Sequence, residues 1–403
     1  MAERTERLTA WHYESSAPVS VAIENGRLTA IEELDPRDHA CSSEERLYIG
    51  PGFVDIQING FAGRDFTTPP VSERLFSEVS RLLWREGVTS YYPTIVTHEP
   101  ESIAHSLSVI ASCCRQDPDA ERAIQGIQLE GPFLSPEDGP RGVHGKAFIR
   151  PPDWELFCAW QEAAEGRIKL LTLSPEWPES DKFIRSCVLS GVKVAIGHTA
   201  ATPKQIRRAA DAGAQLSTHL GNGSHLMLPR HPNYIWEQLA EDRLWASVIA
   251  DGHHLPESVL NVMMKVKEER LLVTTDASFV SGLPPGEYET DAGGRVRLTP
   301  EGRLHLAANP AFLAGSAQMQ PAVIRHLVRT GLSSLGKAWN MCSVTPAAFI
   351  GIDAKHGLTV GAPADLVLFR KRADCSLHIV NTYKEGALVY HDRDSLANWH
   401  DWP

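Results

Sequence analysis

Residues 192–219 read VKVAIGHTAATPKQIRRAADAGAQLSTH, and they contain the pattern that decides the fold. A short apolar run at 192–197 precedes a stretch at 202–214 whose apolar positions follow a helical period and which stops at a glycine. A second apolar run follows at 215–219. A strand, a helix and a strand in this order form a βα unit with parallel strands.

The same alternation recurs along the chain and predicts eight short strands. They are Phe53–Ile58, Thr89–Ile95, Gln125–Glu130, Lys169–Leu173, Val192–Gly197, Gln215–His219, Trp245–Asp251 and Leu271–Asp276. Stretches such as SERLFSEVSRLLWREG at 72–87 predict the helices between them. Eight βα units are typical of a (β/α)8 TIM barrel, so the predicted fold class is α/β with this barrel as its main domain.

The two chain ends follow a different pattern. Residues 19–34, VSVAIENGRLTAIEEL, alternate around an Asn-Gly turn and predict a hairpin, and the chain after residue 357 reads similarly. We therefore expect residues 1–48 and 355–403 to form one small β-sandwich, with the barrel at 49–354 inserted between them.

The composition narrows the class of protein. The 403 residues are 42% hydrophobic and 22% charged, with a formal net charge of −11. This balance predicts a globular chain that binds neither nucleic acid nor an anionic membrane. The charged N-terminus lacks the apolar core of a secretory signal, and seven cysteines show no paired spacing. We therefore expect a cytoplasmic protein with reduced thiols.

Four predicted strands end in acid–base or metal-binding residues. Strands 3, 6 and 8 end at Glu130, His219 and Asp276, and His198 directly follows strand 5. Catalytic side chains of (β/α)8 barrels lie at the carboxyl ends of the strands. One carboxylate and two imidazoles form a three-ligand site for Zn²⁺ or a similar ion, and an unligated carboxylate can accept a proton from water.

Each of these residues also has a structural alternative. A glutamate at a strand end can be a solvated rim residue, and a single histidine is more often hydrogen-bonded than metal-bound. The coincidence of all four at separate strand ends favours a metal-dependent hydrolase. Strand 7 adds Asp251, His253 and His254 at the same rim.

Over nearly its whole length the chain resembles the amidohydrolase superfamily, and within it the N-acetylglucosamine-6-phosphate deacetylases. The motifs that carry the resemblance are PGFVDIQINGFAG, LEGPFLSPEDGPRGVHGKAF, GHTAAT, THLGNG, ADGHHLP, TTDAS, GLPPGEY, LAGSA and GAPADLVLF. The resemblance implies hydrolysis of N-acetyl-D-glucosamine 6-phosphate to D-glucosamine 6-phosphate and acetate.

The resemblance also assigns roles at the metal centre. It implies that Glu130, His198 and His219 are the metal ligands, that Asp276 is the catalytic acid and base, and that His144 polarises the acetyl carbonyl or holds the sugar. Much of the superfamily has His-x-His at strand 1, whereas this chain has Gln57-Ile58-Asn59. An amide is a weaker Zn²⁺ ligand than imidazole, so we expect one divalent ion per chain. Zn²⁺ is the first choice, with Fe²⁺ and Co²⁺ as alternatives.

Substrate contacts follow from the same resemblance. It implies a phosphate contact by Arg230 of a neighbouring subunit, and therefore a homodimer. The other implied contacts are Val143, Asn222, Gly223, Asp251, His254, Leu313, Ala314 and Gly315. The chain departs from the family after His219, where it reads HLGNGSHLMLPRHPNYIW; the additional His225 and His231 are interpreted as loop residues.

Other functions stay open at this point. The barrel could act on N-acetylgalactosamine 6-phosphate, an unphosphorylated amino sugar or an N-acyl amino acid, because the departures concern the sugar and phosphate contacts. It could also be a non-catalytic binding protein, although such a barrel has no need of all four rim residues.

Overall fold

The computed structural model describes residues 6–39, 41–42, 44–290 and 294–392. Its strands are β1 (Glu6–His12), β2 (Pro18–Glu24), β3 (Arg27–Glu33), β4 (Leu47–Pro51), β5 (Phe53–Ile58), β6 (Gly60–Phe61), β7 (Arg64–Asp65), β8 (Val88–Val96), β9 (Ile127–Glu130), β10 (Ile168–Leu173), β11 (Lys193–Ile196), β12 (Leu216–Ser217), β13 (Trp245–Val248), β14 (Leu271–Val273), β15 (Gly286–Glu289), β16 (Arg295–Leu298), β17 (Leu304–Leu306), β18 (Asn309–Leu313), β19 (Leu366–Lys371), β20 (Leu377–Lys384) and β21 (Ala387–His391).

The helices separate most of these strands. They are α1 (Glu73–Leu83), α2 (Pro100–Gln116), α3 (Pro118–Ala123), α4 (Trp154–Ala163), α5 (Ser180–Leu189), α6 (Pro203–Ala212), α7 (Tyr234–Ala240), α8 (Glu257–Lys267), α9 (Gln320–Arg329), α10 (Leu335–Met341) and α11 (Val344–Ile350). Single turns of 3-10 helix lie at Trp84–Glu86, Lys146–Phe148, Glu268–Arg270 and Asp353–His356.

The predicted barrel is confirmed. Eight strands form one sheet in the order β5-β8-β9-β10-β11-β12-β13-β14, and a parallel bridge between Ile58 and Ala277 joins the end of the first strand to the segment after the last. Each of the eight predicted strands corresponds to one strand of this sheet. Their carboxyl ends therefore lie at one rim.

Helix α6 shows how the local sequence forms the βα unit. Thr202 and Gln205 form a capping box, Pro203 occupies the first turn, and Gly213 ends the helix with a φ of 108°. The cap satisfies amide groups that the first turn leaves unpaired, and the glycine adopts the left-handed conformation without a Cβ clash. These signals are local, which is why the sequence predicted this helix correctly.

The described parts of the chain divide into two compact units. One comprises the described residues within 1–55, 78–90 and 319–403, and the other comprises the described residues within 56–77 and 91–318. Strands from both chain ends form one seven-stranded mixed sheet in the first unit, in the order β21-β20-β19-β4-β1-β2-β3. A small β-sandwich from both chain ends was predicted, and a second sheet domain built from both ends is confirmed. The boundaries 1–48, 49–354 and 355–403 stay a prediction, and residues 393–403 lie outside the described residues.

A buried ion pair lies within the first unit. Lys384 Nζ donates to Asp365 Oδ2 over 2.7 Å and to Ser90 Oγ over 3.1 Å, and its side chain is 4% exposed. Removing one partner of such a pair leaves an uncompensated buried charge and typically costs about 3–5 kcal/mol. The aspartate of the GAPADLVLF motif is thus part of the packing of this unit.

An antiparallel sheet that the sequence did not predict follows the last barrel strand. Strands β15, β16, β17 and β18 pair in sequence order, and they enclose a small core of Val280, Val296, Leu298 and Leu304. Its strands are short and half exposed, so their alternation is weak in the sequence. Residues 291–293 of its first connection lie outside the described residues.

Two sequence expectations bear on the environment of the protein. All seven cysteines lie within the described residues and are free thiols. Among the described helices, none has the length and apolar character needed to cross a bilayer.

Candidate metal centre and active site

Four strand ends of the barrel bring the predicted residues to one rim. Glu130 is the last residue of β9, and His198 and His219 follow β11 and β12 by two residues each. Asp276 follows β14 by three residues. Glu130, His198 and His219 are buried, and Asp276 is partly exposed.

Donor atoms of four side chains converge around His198. Its Nε2 atom lies 3.4 Å from Glu130 Oε1, 3.1 Å from His219 Nε2 and 3.3 Å from His144 Nε2. His219 Nε2 lies 3.1 Å from the same Glu130 oxygen. One carboxylate oxygen and three imidazole nitrogens therefore face a common point.

This donor set fits a divalent metal ion. Donor atoms of Glu130, His144 and His198 lie within 4.8 Å of one another, and His219 Nε2 is as close to Glu130 and His198. Imidazole nitrogens and a carboxylate oxygen are the donors that Zn²⁺ and similar ions take in hydrolases. Four side chains are thus candidate ligands.

The His198 ring is oriented by its surroundings. Its Nδ1–H donates to the carbonyl oxygen of Pro140 over 2.8 Å, which leaves Nε2 for a metal. Gly142 and Gly223 pack against the ring, and a Cβ at Gly223 would lie 2.6 Å from Nδ1. Both glycines have positive φ, so any larger residue there would meet both backbone strain and the imidazole.

Three functional candidates carry strained backbones. His198, His219 and Asp276 have φ values of 47°, 28° and 51°. The left-handed conformation costs a residue other than glycine about 1–3 kcal/mol, and it persists where the surroundings determine it. His219 N donates to Ser247 Oγ over 2.8 Å, and Asp276 N donates to Gln57 O over 3.0 Å.

The strand-1 amides hold the two carboxylates of the site. Gln57 Nε2 donates to Glu130 Oε1 over 3.1 Å and to Asp276 Oδ1 over 3.0 Å. Asn59 Nδ2 donates to the same Asp276 oxygen over 2.7 Å. Burial raises the pKa of Asp276, and the Glu130 charge adds to this effect while His219 and Asn59 oppose it. Asp276 therefore has the stronger basicity that a proton acceptor needs.

The pKa values of Glu130 and His219 shift in the directions expected of an ion pair. Burial alone would raise the pKa of Glu130, but the hydrogen bonds and charges of His198 and His219 hold it well below its usual range. Burial opposes the charged form of His219 as well, yet contact with Glu130 raises its pKa. Glu130 is therefore an anion in the folded protein.

His144 is a neutral imidazole. Burial and the neighbouring His198 lower its pKa to about 3. The loop that carries it is held by Arg141, whose Nη1 donates to His144 O over 2.9 Å and whose Nη2 contacts Asp138. A neutral imidazole at this position can donate one N–H to an acyl oxygen.

Strand 7 supplies a second hydrogen-bonded pair. Asp251 Oδ2 accepts from His254 Nδ1 over 2.7 Å and from Ser316 Oγ over 3.2 Å. Asp251 Oδ1 accepts from the backbone N–H groups of His253 and His254. Asp251 thus orients His254, and the structure brings both predicted residues together.

Apart from Leu313, the other predicted substrate residues lie in loops. Asn222 Nδ2 donates to His219 O over 3.3 Å, and Val143 is 66% exposed next to His144. Leu313 ends β18, and Ala314 and Gly315 continue from it. Arg230 is exposed, in a loop that also exposes Leu226 and Met227.

Two loop segments make contacts that the sequence did not predict. His225 links two rim loops, because its ring nitrogens contact Tyr234 Oη at 3.0 Å and Glu137 Oε2 at 2.9 Å. It is a loop residue, as interpreted. The contacts of Pro140 and Gly142 with His198 were missed, and the only signal for them was the Gly-Pro-Arg-Gly run at 139–142.

Comparison with known proteins identifies the family of the chain. The sequence profile of the amidohydrolase family matches residues 48–389. The N-acetylglucosamine-6-phosphate deacetylase of Bacillus subtilis (strain 168) is 32% identical over 93% of this chain and 93% of its own. The N-acetylgalactosamine-6-phosphate deacetylase of Escherichia coli O157:H7 is 30% identical over 91% of this chain and 93% of its own.

Solved structures of deacetylases are similar to this chain over most of its length. The N-acetyl-D-glucosamine-6-phosphate deacetylase of Mycobacterium smegmatis superposes with a TM-score of 0.79 at 29% identity, covering 93% of this chain and 96% of that one. The corresponding Pasteurella multocida enzyme has a TM-score of 0.81 at 24% identity, covering 95% and 98%, and confirms the fold.

Proposed function

The chain belongs to the amidohydrolase family, and from that premise we propose that it hydrolyses the acetamide of N-acetyl-D-glucosamine 6-phosphate to D-glucosamine 6-phosphate and acetate. The observation that carries the proposal is the convergence of Glu130, His198 and His219 beside Asp276 at the barrel rim. Amide hydrolysis needs an activated water and a group that moves its proton.

Glu130, His198 and His219 would hold one divalent ion, with Zn²⁺ as first choice and Fe²⁺ or Co²⁺ as alternatives. These three come from the strand ends, whereas His144 comes from a loop and stays available to the substrate. When bound, the ion would lower the pKa of water and polarise the acetyl carbonyl.

Asp276 would be the catalytic acid and base. It accepts a proton from the attacking water and delivers it to the amide nitrogen as the C–N bond breaks. Gln57 and Asn59 both donate to Oδ1, so the proton is exchanged at Oδ2. The raised pKa of the Asp276 carboxyl helps it to take and to release that proton.

His144 would bind the acetyl oxygen. As a neutral imidazole it donates an N–H to the oxygen that gains negative charge, without adding a proton that competes with Asp276. Arg141 keeps its loop in place through the His144 carbonyl.

The sugar and phosphate contacts are part of the proposal. His254, oriented by Asp251, would lie near the phosphate with Arg230 of a second subunit in a homodimer. Arginine suits this role because its planar donors bond two phosphate oxygens at once. The contacts to the rest of the sugar would come from Val143, Asn222, Gly223, Leu313, Ala314 and Gly315. We also propose a cytoplasmic location.

A second candidate substrate is N-acetylgalactosamine 6-phosphate, because one similar relative is a deacetylase of that sugar phosphate. The two sugars differ only in the configuration of one hydroxyl group. Acetate release from a panel of N-acetyl sugars, each with and without a 6-phosphate, tests both candidates. The proposal requires the highest kcat/KM for the glucosamine 6-phosphate derivative. Equal rates with and without phosphate would contradict it.

A further inference from the structure

We propose that Glu176, in the loop after β10, is a positioning residue that holds the backbone of His198 and with it the donor geometry of the metal centre; this rests on the proposed function. Glu176 follows a different strand from those that carry the three ligands, and its carboxylate is partly buried. The hydrogen bonds of its carboxylate connect Glu176 to the metal centre.

The Glu176 carboxylate joins three rim loops. Oε2 accepts from the backbone N–H of Ala200 over 2.8 Å and from Ser174 Oγ over 2.7 Å. Oε1 accepts from Ser135 Oγ over 3.0 Å. Ser135, Ser174 and Ala200 belong to the loops that follow β9, β10 and β11.

These contacts lie on both sides of His198. Ser135 N donates to His198 O over 2.9 Å, so one arm of the network ends on the histidine itself. Ala200 is two residues further along the chain, and Ser174 Oγ lies 2.7 Å from Thr199 Oγ1, so a second arm holds the segment directly after it. One carboxylate therefore fixes the backbone at and after the residue whose ring lies at the centre of the donor set.

His198 needs this support because its backbone is strained. Its φ of 47° is unfavourable for a residue with a Cβ, and such a conformation relaxes unless hydrogen bonds determine it. A change of φ would rotate the imidazole away from Glu130 and His219, which are 3.4 and 3.1 Å from its Nε2 atom. A shift of this kind weakens metal binding even though no ligand has been changed.

The chemistry of a carboxylate matches the network. An ionised glutamate is an acceptor at both oxygens, whereas a glutamine accepts at only one and adds two donors. All three partners of Glu176 donate to it. Glutamine at this position should disturb the network less than alanine, because its oxygen can still accept from Ala200 N and its N–H groups can donate to the Ser135 hydroxyl. Alanine should lose both arms.

The test measures metal affinity in the metal-free full-length protein, by competition for Zn²⁺ with a chromophoric chelator. The variants are Glu176→Ala and Glu176→Gln. The matched control is Glu179→Gln, on the same segment, where an exposed glutamate pairs with Lys182. Loss of an outer partner of a metal ligand typically weakens affinity about ten- to a hundredfold, so we expect that loss for alanine, a smaller one for glutamine and none for the control.

Thermal unfolding of the metal-free variants and the kinetic constants accompany the titration. A merely structural residue would lower Tm and leave the Zn²⁺ affinity of the folded protein unchanged, and that outcome overturns the proposal. If the alanine variant does not fold, Glu176→Gln and Ser135→Ala decide. The serine variant removes one arm but keeps the backbone bond to His198. Unchanged affinity in both would also overturn it.

The outcome is separable from that of the proposed function. If the unmodified protein binds Zn²⁺ but releases no acetate from any amino sugar, the proposed function fails, and weaker binding by Glu176→Ala still supports the positioning role. If the unmodified protein is an active deacetylase and Glu176→Ala binds Zn²⁺ equally well, only the positioning role fails.

Discussion

The side-chain amide of Asn59 donates a 2.7 Å hydrogen bond to Oδ1 of Asp276. Gln57 points its own N–H groups at the same oxygen and at Glu130. An N–H group cannot ligate a cation, so the strand-1 side chains meet Glu130 and Asp276 as hydrogen-bond donors and not as metal ligands.

We therefore expect about one divalent ion per chain, because one set of ligands remains. Metal analysis of the purified protein by mass spectrometry, normalised to protein concentration, checks this. Two tightly bound ions per chain, both required for activity, would contradict it.

Replacing Asp276 with Asn keeps the shape of the side chain but removes the proton acceptor. We expect kcat to fall at least ~10²-fold, the usual scale for loss of general acid–base catalysis, with metal content near that of the unmodified protein. Steady-state kinetics and metal analysis measure both. Near-normal activity would show that another group moves the proton, and loss of the metal would identify Asp276 as a ligand.

Replacing Gly223 with Ala should weaken metal binding through His198. The new Cβ would lie 2.6 Å from His198 Nδ1 and 2.8 Å from Cε1, so the ring must move. We expect at least ~10-fold weaker Zn²⁺ affinity, on the scale of other outer-sphere changes.

Gly166→Ala is the matched control, because Gly166 also has a positive φ of 77° but a Cβ added to it would meet nothing within 4 Å. Both variants carry the strain of a left-handed alanine, about 1–2 kcal/mol. Only the clash at Gly223 should displace the His198 ring and so weaken Zn²⁺ binding. Equal Zn²⁺ affinities of the two variants would mean that the His198 ring adapts freely.

The Asp251 carboxyl should stabilise the protein in a pH-dependent way. Burial alone would raise its pKa, but the hydrogen bond and charge of His254, with two backbone N–H groups, lower it to about 2. A depressed pKa stabilises the folded state above the unfolded value of 3.8, and this stability disappears as the pH falls towards 2. It amounts to about 2 kcal/mol of free energy of unfolding.

Asp251→Asn should accordingly lower Tm near neutral pH, and its difference from the unmodified protein should shrink as the pH is lowered from about 4 to about 2. Thermal scans across that range measure it. Asp353→Asn serves as the control, since that exposed aspartate pairs with Arg27 at the surface and should change Tm little. A pH-independent difference for Asp251→Asn would contradict the linkage.

Arg230→Met tests the phosphate contact. A charge-assisted hydrogen bond contributes roughly 1.5–3 kcal/mol, so KM for the 6-phosphorylated sugar should rise about ten- to a hundredfold. The unphosphorylated sugar should be affected little. Equal loss on both substrates, or none on either, would remove Arg230 from the phosphate site while leaving the metal centre intact.

The barrel could be predicted from the sequence because its signals are local. The strands at 53–58 and 192–197 are short apolar runs, and helix α6 has its own cap and glycine stop. The sheet formed by β15–β18 was missed because its short, half-exposed strands give little alternation. The candidate site residues could be predicted from the sequence for a related reason. In a barrel of parallel strands, the carboxyl ends of all strands lie at the same face. Glu130 ends β9, and His198, His219 and Asp276 follow β11, β12 and β14 within three residues, so all four lie at that face.

By itself, then, the sequence determined the barrel and the residue types at its rim. Only the tertiary structure decided which atoms of those residues meet. His198 presents Nε2 because Pro140, 58 residues away in the chain, takes its Nδ1–H. Its strained backbone is held by Ser135 and Glu176, and its ring is confined by Gly142 and Gly223. Such contacts join loops that follow different strands. The periodicity or cap of one segment carries no information about which residues of another segment will contact it.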